Sequence, residues 1–286
     1  MHGHGIRNGK GFFMNDRERL QKLLDTYLQQ LLQHPVLQTY TQSISIILKG
    51  SFARGFADKY TDIDLVIYAD DTVYGKIITG YAERGLTPRQ DGVFLPLGNW
   101  DGHYNLDSYA RLLRHCADDP SALWEYANAR ILHDPAGKAR AAIEHCKNSF
   151  GQNIGERLKQ QYLQLQLQLD WLRQPLRRAD APAVLLYAAA FWRESCRLLF
   201  LLRGKPYPCD KWLFYYAKEL DLPDALKDKI LNYGQYFGDA YGQQADLELE
   251  QYPLYAKGSE IAAALAEMLH ARCPEARWID EWYLYA

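Results

Sequence analysis

The feature that most constrains the fold is where strand-like patterning stops. Every convincing strand pattern falls between Ile44 and Tyr109, and from about Gly151 onward helical periodicity takes over. Ile44, Ile46 and Leu48 alternate with Ser43, Ser45 and Ile47, and Asp62–Tyr68 is a second run rich in Ile, Leu and Val. Val93–Leu97 and His103–Tyr109 flank GNWDG and read as a hairpin. Leu20, Leu23, Leu24, Tyr27, Leu28 and Leu31 recur at helical spacing, which predicts a helix over Asp16–Gln33, capped by Asn15 or Asp16 and ended by Pro35. Thr72–Arg84, ended by Gly85, suits another. ALWEYANARIL and GKARAAIEHCKNSF read as helices that close this first half.

One stretch of the second half is ambiguous. LQLQLQL at Leu163–Leu169 alternates like a strand, but Tyr162, Leu165, Leu169 and Leu172 also fit a helix, and Gln, Leu and Arg are good helix formers. Ala183–Leu202, Lys211–Leu220, Pro223–Tyr233 and Ser259–Ala271 complete a set of helices. The expected class is α+β: a flexible leader over residues 1–14, a mixed-sheet domain over 15–150, and an α-helical bundle over 151–286. The leader's His2 and His4 are metal-capable residues but read as part of a disordered segment.

Composition excludes some classes. No run of eighteen apolar residues occurs, so no membrane span is expected, and the opening residues lack the apolar stretch of a signal peptide. Cys116, Cys146, Cys196, Cys209 and Cys273 are widely spaced and odd in number, which argues against a disulfide framework or a structural zinc site and for a reducing, cytoplasmic setting. The formal net charge of −2 gives no basic footprint for an extended nucleic acid.

The chemistry is concentrated in GSFARGFADKYTDIDLVIYAD, Gly50 to Asp70. A strand delivers the chain to a Gly50-Ser51 turn, whose backbone N–H groups and Ser51 hydroxyl suit an anion. The next strand carries Asp62 and Asp64, which at i and i+2 lie side by side on one face. Adjacent carboxylates repel unless a cation joins them. Such oxygens suit Mg²⁺, which also accepts phosphate oxygens, and a pair of ions can clamp both the attacking and the leaving oxygen of an in-line displacement. Phosphoryl or nucleotidyl transfer is therefore expected.

Gly50-Ser51, Arg54-Gly55 and Asp62-Ile63-Asp64-Leu65 resemble the signature of the polymerase-beta-like nucleotidyltransferase superfamily. ARILHDPAGKA at Ala129–Ala139 and KPYPCDKWL, after a long helix, are similar to segments of its antibiotic-modifying, small-molecule members. The resemblance implies two Mg²⁺ ions, ATP or another nucleoside triphosphate, and contacts from Gly50 and Ser51 to the terminal phosphates. Arg54 would assist there or pair with Asp58. Lys205 and Lys211 would reach the triphosphate from the helical domain.

The resemblance also implies a third carboxylate on a neighbouring strand. Asp107 is the candidate, sharing a face with His103 and Asn105; it could also serve as general base, or instead cap a helix beginning near Ser108. Asp101 is the rival, placed at the hairpin tip. Glu194, inside the apolar run FWRESCRLLF, needs a partner, which Arg193 or Arg197 could supply; alternatively it faces a cleft and binds a cationic acceptor. The implied activity is transfer of AMP to the hydroxyl of a small molecule held between the two halves. The alternatives are transfer to a protein or RNA end, as in toxin–antitoxin enzymes, and a non-catalytic nucleotide-binding module.

Overall fold

A computed structural model describes residues 15–86, 93–98, 101–242 and 244–286. The expected leader, with His2 and His4, and Asn99 and Trp100 of the hairpin turn lie outside the described residues. In chain order the elements are α1 (Asp16–Leu32), β1 (Ile44–Lys49), α2 (Gly50–Ala53), β2 (Ile63–Ala69), α3 (Asp71–Ala82), β3 (Val93–Leu97), β4 (Gly102–Ser108), α4 (Tyr109–Asp118), α5 (Pro120–Ala127), β5 (Arg130–His133), α6 (Lys138–Gln152), α7 (Ile154–Trp171), α8 (Arg173–Arg177), α9 (Ala181–Leu202), α10 (Asp210–Ala217), α11 (Asp224–Leu231) and α12 (Pro253–Arg272), with short 3₁₀ turns between some of them. The α+β class is as the patterning implies. The LQLQLQL stretch is helical, inside α7.

The chain forms two compact units. Among the described residues, one comprises those from 15 to 114 and from 125 to 144, the other those from 115 to 124 and from 145 to 286. In the first, a five-stranded mixed sheet runs β3-β4-β2-β1-β5. β2 is parallel to β4, and the other neighbours are antiparallel. One sheet face is apolar: Ile44, Ile46 and Leu48 of β1, Ile63, Leu65 and Ile67 of β2, and Tyr104 and Leu106 of β4 pack with Leu20, Leu24, Tyr27 and Leu31 of α1 and Ile77 and Tyr81 of α3. α1 is capped as expected, the Glu18 N–H donating to Asn15 Oδ1 at 2.9 Å.

Period-two geometry puts the intervening residues on the other face: Ser45, Ile47 and Lys49, then Asp64, Val66 and Tyr68, then His103, Asn105 and Asp107. Tyr109 of α4 and Tyr126 of α5 cover one end of it. Ser45 Oγ lies 2.6 Å from Tyr109 Oη, and the Tyr68 and Tyr126 hydroxyls are 2.5 Å apart. The other end carries Asp62 and Asp64.

One helix expectation is corrected. The last residues of ALWEYANARIL are not helical: α5 stops at Ala127, and Arg130–His133 form β5 on the edge of β1. Pairing there satisfies β1 edge groups that a longer α5 would leave unmatched.

In the second unit α7 and α9 are the principal packed pair. Val184, Ala188, Phe191, Leu198 and Leu202 of α9 are buried along the helix, so the apolar stripe reads out as core. The Phe191 ring meets Tyr233 edge-on, and the Trp192 indole N–H donates to the Ile230 carbonyl at 2.5 Å. All five cysteines are free thiols. Burial and the neighbouring Cys146 push the Cys116 thiol up to about 12, so it stays protonated. Among the described residues no helix is long and apolar enough to cross a membrane.

Candidate active site

Gly50 closes β1 at φ +78°, in the left-handed region that favours glycine. A Cβ there would lie 2.2 Å from Asp64 Oδ2, so only glycine lets the turn pass this close to the carboxylate. The turn is held from α5. Glu125 Oε1 accepts the Gly50 N–H at 2.6 Å, and Arg54 Nη1 donates to both Glu125 oxygens at 2.7 and 2.8 Å. The Arg54 side chain is only 5% exposed. Glu125 is a partner of Arg54 unforeseen in the sequence; Asp58 accepts the Tyr60 N–H at 2.8 Å and the Thr61 hydroxyl at 3.0 Å. Arg54 braces the turn through Glu125.

Asp62 lies just before β2 and Asp64 within it, on the open part of the polar sheet face. The parallel register sets His103 of β4 directly beside Asp64. His103 Nε2 is 2.8 Å from Asp64 Oδ1, and Nδ1 is 3.8 Å from Asp62 Oδ2. One ligand atom from each of Asp62, Asp64 and His103 falls within 4.8 Å of the others, a grouping able to hold a metal ion.

Asp107 is not brought to this group. It pairs in register with Tyr68, four residues beyond His103, roughly 13 Å along the strand at ~3.3 Å per residue. Its carboxylate accepts the Ser108 N–H at 2.8 Å and lies 3.5 Å from Arg111, at the start of α4. Where Asp107 was expected as third ligand, the register sets His103 beside the pair. Asp101 stands 3.9 Å from Arg19.

Residues 30–105 match the family model described as a nucleotidyltransferase domain. The match takes in Gly50, Ser51, Asp62, Asp64 and His103 and stops short of Asp107. Residues 118–213 match a domain of unknown function (DUF4037). A search among curated proteins finds no match. Among solved structures, a nucleotidyltransferase-like protein from Exiguobacterium sibiricum is similar at 11% identity and a TM-score of 0.45, over 87% of this chain and 80% of that one.

A second polar network braces the sheet of the first unit. Asp134, after β5, accepts from Ser45 Oγ at 2.7 Å and from the Arg140 and Ala139 N–H groups of α6 at 3.1 and 3.3 Å. Burial works against the charged form, but the Ser45 bond and the α6 N–H groups prevail and hold its carboxyl below the usual value. Tyr109, on the same serine, is pushed up by burial and stays a neutral phenol.

The remaining expected residues lie in the second unit. Lys205 and Lys211 are exposed, and the Lys211 ammonium sits 5.6 Å from the Trp212 ring centroid. Glu194 is buried and ion-paired, with Arg193 Nε at 2.8 Å and Arg197 Nη1 at 3.4 Å, as its apolar surroundings require. Glu125 is the functional residue that sequence reasoning missed. Its signal was a single carboxylate inside the otherwise apolar ALWEYA, which called for a partner.

Proposed function

We propose that the first unit transfers a nucleoside monophosphate, AMP from ATP, to a hydroxyl of a small-molecule acceptor, releasing pyrophosphate and the hydroxyl proton, with the help of a divalent cation. The observation that carries this reading is the convergence of Asp62, Asp64 and His103 beside the Gly50-Ser51 turn on the open end of the sheet face. The donor set fits a cation: two hard carboxylates suit Mg²⁺, and the imidazole widens the range to Mn²⁺. Asp62, Asp64 and His103 would hold it, and a second ion would draw further on the same carboxylates and on the phosphates of the nucleotide. When bound, such ions neutralise charge that develops on the transferring phosphorus.

The chain supplies positioning. The Ser51 hydroxyl and the turn's outward N–H groups receive the phosphates, and Glu125 fixes the turn through Gly50 and Arg54. Before a cation binds, the 2.8 Å contact from His103 holds the Asp64 carboxylate in place. A small acceptor is favoured by the formal charge of −2, since a long nucleic acid is gripped through many cationic contacts. A nucleotide-binding module without transfer is the second reading, and what favours it is an imidazole standing where the resemblance implies a carboxylate.

The test is incubation of the full chain with labelled nucleoside triphosphates, Mg²⁺ or Mn²⁺, and three acceptor pools: a small-molecule extract, tRNA and whole-cell protein. Mass-shifted products in the extract, absent with Asp64→Asn, support the proposal. Labelling confined to tRNA or to one protein overturns the acceptor class. Cation-dependent nucleotide binding with no product in any pool supports the second reading.

A further inference from the structure

α7 and α9 pack together, yet part of their facing surface is polar. On α7, Arg157, Gln161, Gln164 and Gln168 recur at helical spacing and share a face. On α9, Arg193, Glu194 and Arg197 answer them. Between these side chains lies a hollow of about 340 Å³. That is within the size range of small-ligand sites. Packed helix pairs ordinarily bury apolar stripes, and a polar hollow forgoes that stabilisation.

The hydrogen-bond inventory tells what the hollow lacks. Glu194, its buried acid, is fully engaged: its oxygens take Gln161 Nε2 at 2.6 Å, Arg193 Nε at 2.8 Å and Arg197 Nη1 at 3.4 Å. Arg197 also gives Nη2 to Asp210 at 2.9 Å. The donors are not spent to the same degree. A guanidinium carries five N–H bonds. Arg157 uses Nη2 on the Ala117 carbonyl at 2.8 Å, and Arg193, beyond its Nε bond, holds Nη1 3.9 Å from Asp210 Oδ2 and keeps Nη2. Gln164 and Gln168 line the hollow with no side-chain hydrogen bond among the described residues. Three guanidinium groups, Arg157, Arg193 and Arg197, meet three carboxylates: Glu194, the exposed Asp118, and Asp210 at the edge of the hollow. The hollow is thus rich in donors, with more N–H groups than its carboxylates accept.

We propose that this hollow binds a small anion-bearing polar molecule, its phosphate or carboxylate group held by Arg157 and Arg193 and its polar body by Gln164 and Gln168. The chemistry fits planar guanidinium groups, which match the oxygens of either anion. It runs against an amine-bearing ring compound, because Glu194, the carboxylate such an amine would seek, is already neutralised. The site is built wholly from the second unit and does not depend on the transfer reaction.

The test is titration of the full chain by calorimetry and thermal melting with five probes: inorganic phosphate, ribose 5-phosphate, gluconate, ribose and glucosamine. Ribose 5-phosphate and gluconate separate phosphate from carboxylate as the anion source. Either should raise the melting temperature, since a ligand of the native state stabilises it in proportion to its binding. Ribose and glucosamine should not. Gln164→Glu, an exposed near-isosteric change, should weaken anion binding at least tenfold with the fold intact, and Arg193→Gln should do the same. Asp64→Asn should bind the probes as wild type, which separates this hollow from the nucleotide site. Binding of glucosamine without the anions, wild-type anion affinity in Gln164→Glu, loss of anion binding in Asp64→Asn, or no response to any probe would overturn the proposal.

Discussion

Asp64 and Glu194 are both carboxylates on regular elements with a cationic or imidazole neighbour, yet they are supplied in opposite ways. Glu194, 8% exposed, has three donors within 3.4 Å, two of them arginines. Asp64, 21% exposed, shares a single imidazole with an even more open Asp62. The first centre is electrostatically closed, and removing a partner leaves a buried charge uncompensated. The second has acceptor capacity to spare, which is the condition for recruiting a cation. The difference follows from position. α9 buries Glu194 in a helical core, whereas Asp62 and Asp64 sit at the end of a sheet face that Tyr109 and Tyr126 cover only elsewhere.

The largest effect is expected at Glu194. Glu194→Ala leaves Gln161, Arg193 and Arg197 without their acceptor. Loss of one partner of a buried pair costs 3–5 kcal/mol in general. Arg193 is 41% exposed and can turn to solvent, so the expected loss is at the low end, about 3 kcal/mol, read by urea unfolding. Glu194→Gln should recover part of it. An alanine variant as stable as wild type would show that the pair is not closed.

At the other centre the same kind of change should spare stability and remove activity. Asp64→Asn should lower nucleotidyl transfer by about 10²–10³-fold, the usual effect of deleting a group that stabilises transition-state charge. Its melting temperature should match or exceed wild type, because relieving Asp62–Asp64 repulsion offsets the weaker His103 contact. Near-wild-type turnover in saturating Mg²⁺ would place the chemistry elsewhere.

Much of this site is legible in the sequence, and what is not has a physical cause. Spacing alone puts Asp62 and Asp64 on one face and glycine at a turn, because those are local geometry. The third partner is not local. His103, Asn105 and Asp107 share a face by period two, and only the parallel register of β2 with β4 selects His103 to stand beside Asp64. Register is fixed by the tertiary burial of Leu65, Ile67, Tyr104 and Leu106 together. Glu125 is hidden for the same reason, lying 71 residues from Arg54 in the chain. β5 was misread because ARIL is short and takes its state from the edge it pairs with. The helical unit was easier to read, since its periodicity carries its own evidence.

A smaller effect tests the bracing network behind the site. Asp134→Ala removes acceptors from Ser45 and the start of α6 and should cost about 1–2 kcal/mol at neutral pH, as loss of a helix-capping side chain does. The folded state holds this carboxyl below its ordinary value, so its contribution is complete above about pH 4. It fades as pH falls through the lower folded value, where the protonated form loses its advantage. The melting-temperature gap between wild type and variant should therefore narrow in acid. A gap that widens there would reverse the assigned sign.

The smallest effect is expected at Asp107, and it is the most discriminating for the comparison. Asp107 carries the same charge as Asp64 on the same sheet face, but four residues beyond His103, where its oxygen accepts the Ser108 N–H at 2.8 Å and faces Arg111. Asp107→Asn keeps an acceptor oxygen there and removes only a charge at the start of α4. That interaction is worth about 0.3–1 kcal/mol. The variant should melt slightly early, most visibly at low salt, and turn over within about threefold of wild type, far from the loss expected when transition-state charge is left unmatched. Steady-state kinetics beside Asp64→Asn on one substrate decide it. If Asp107→Asn loses activity as deeply as Asp64→Asn while melting normally, its carboxylate reaches the reacting atoms, and the register that pairs it with Tyr68 is not the one in which the enzyme works.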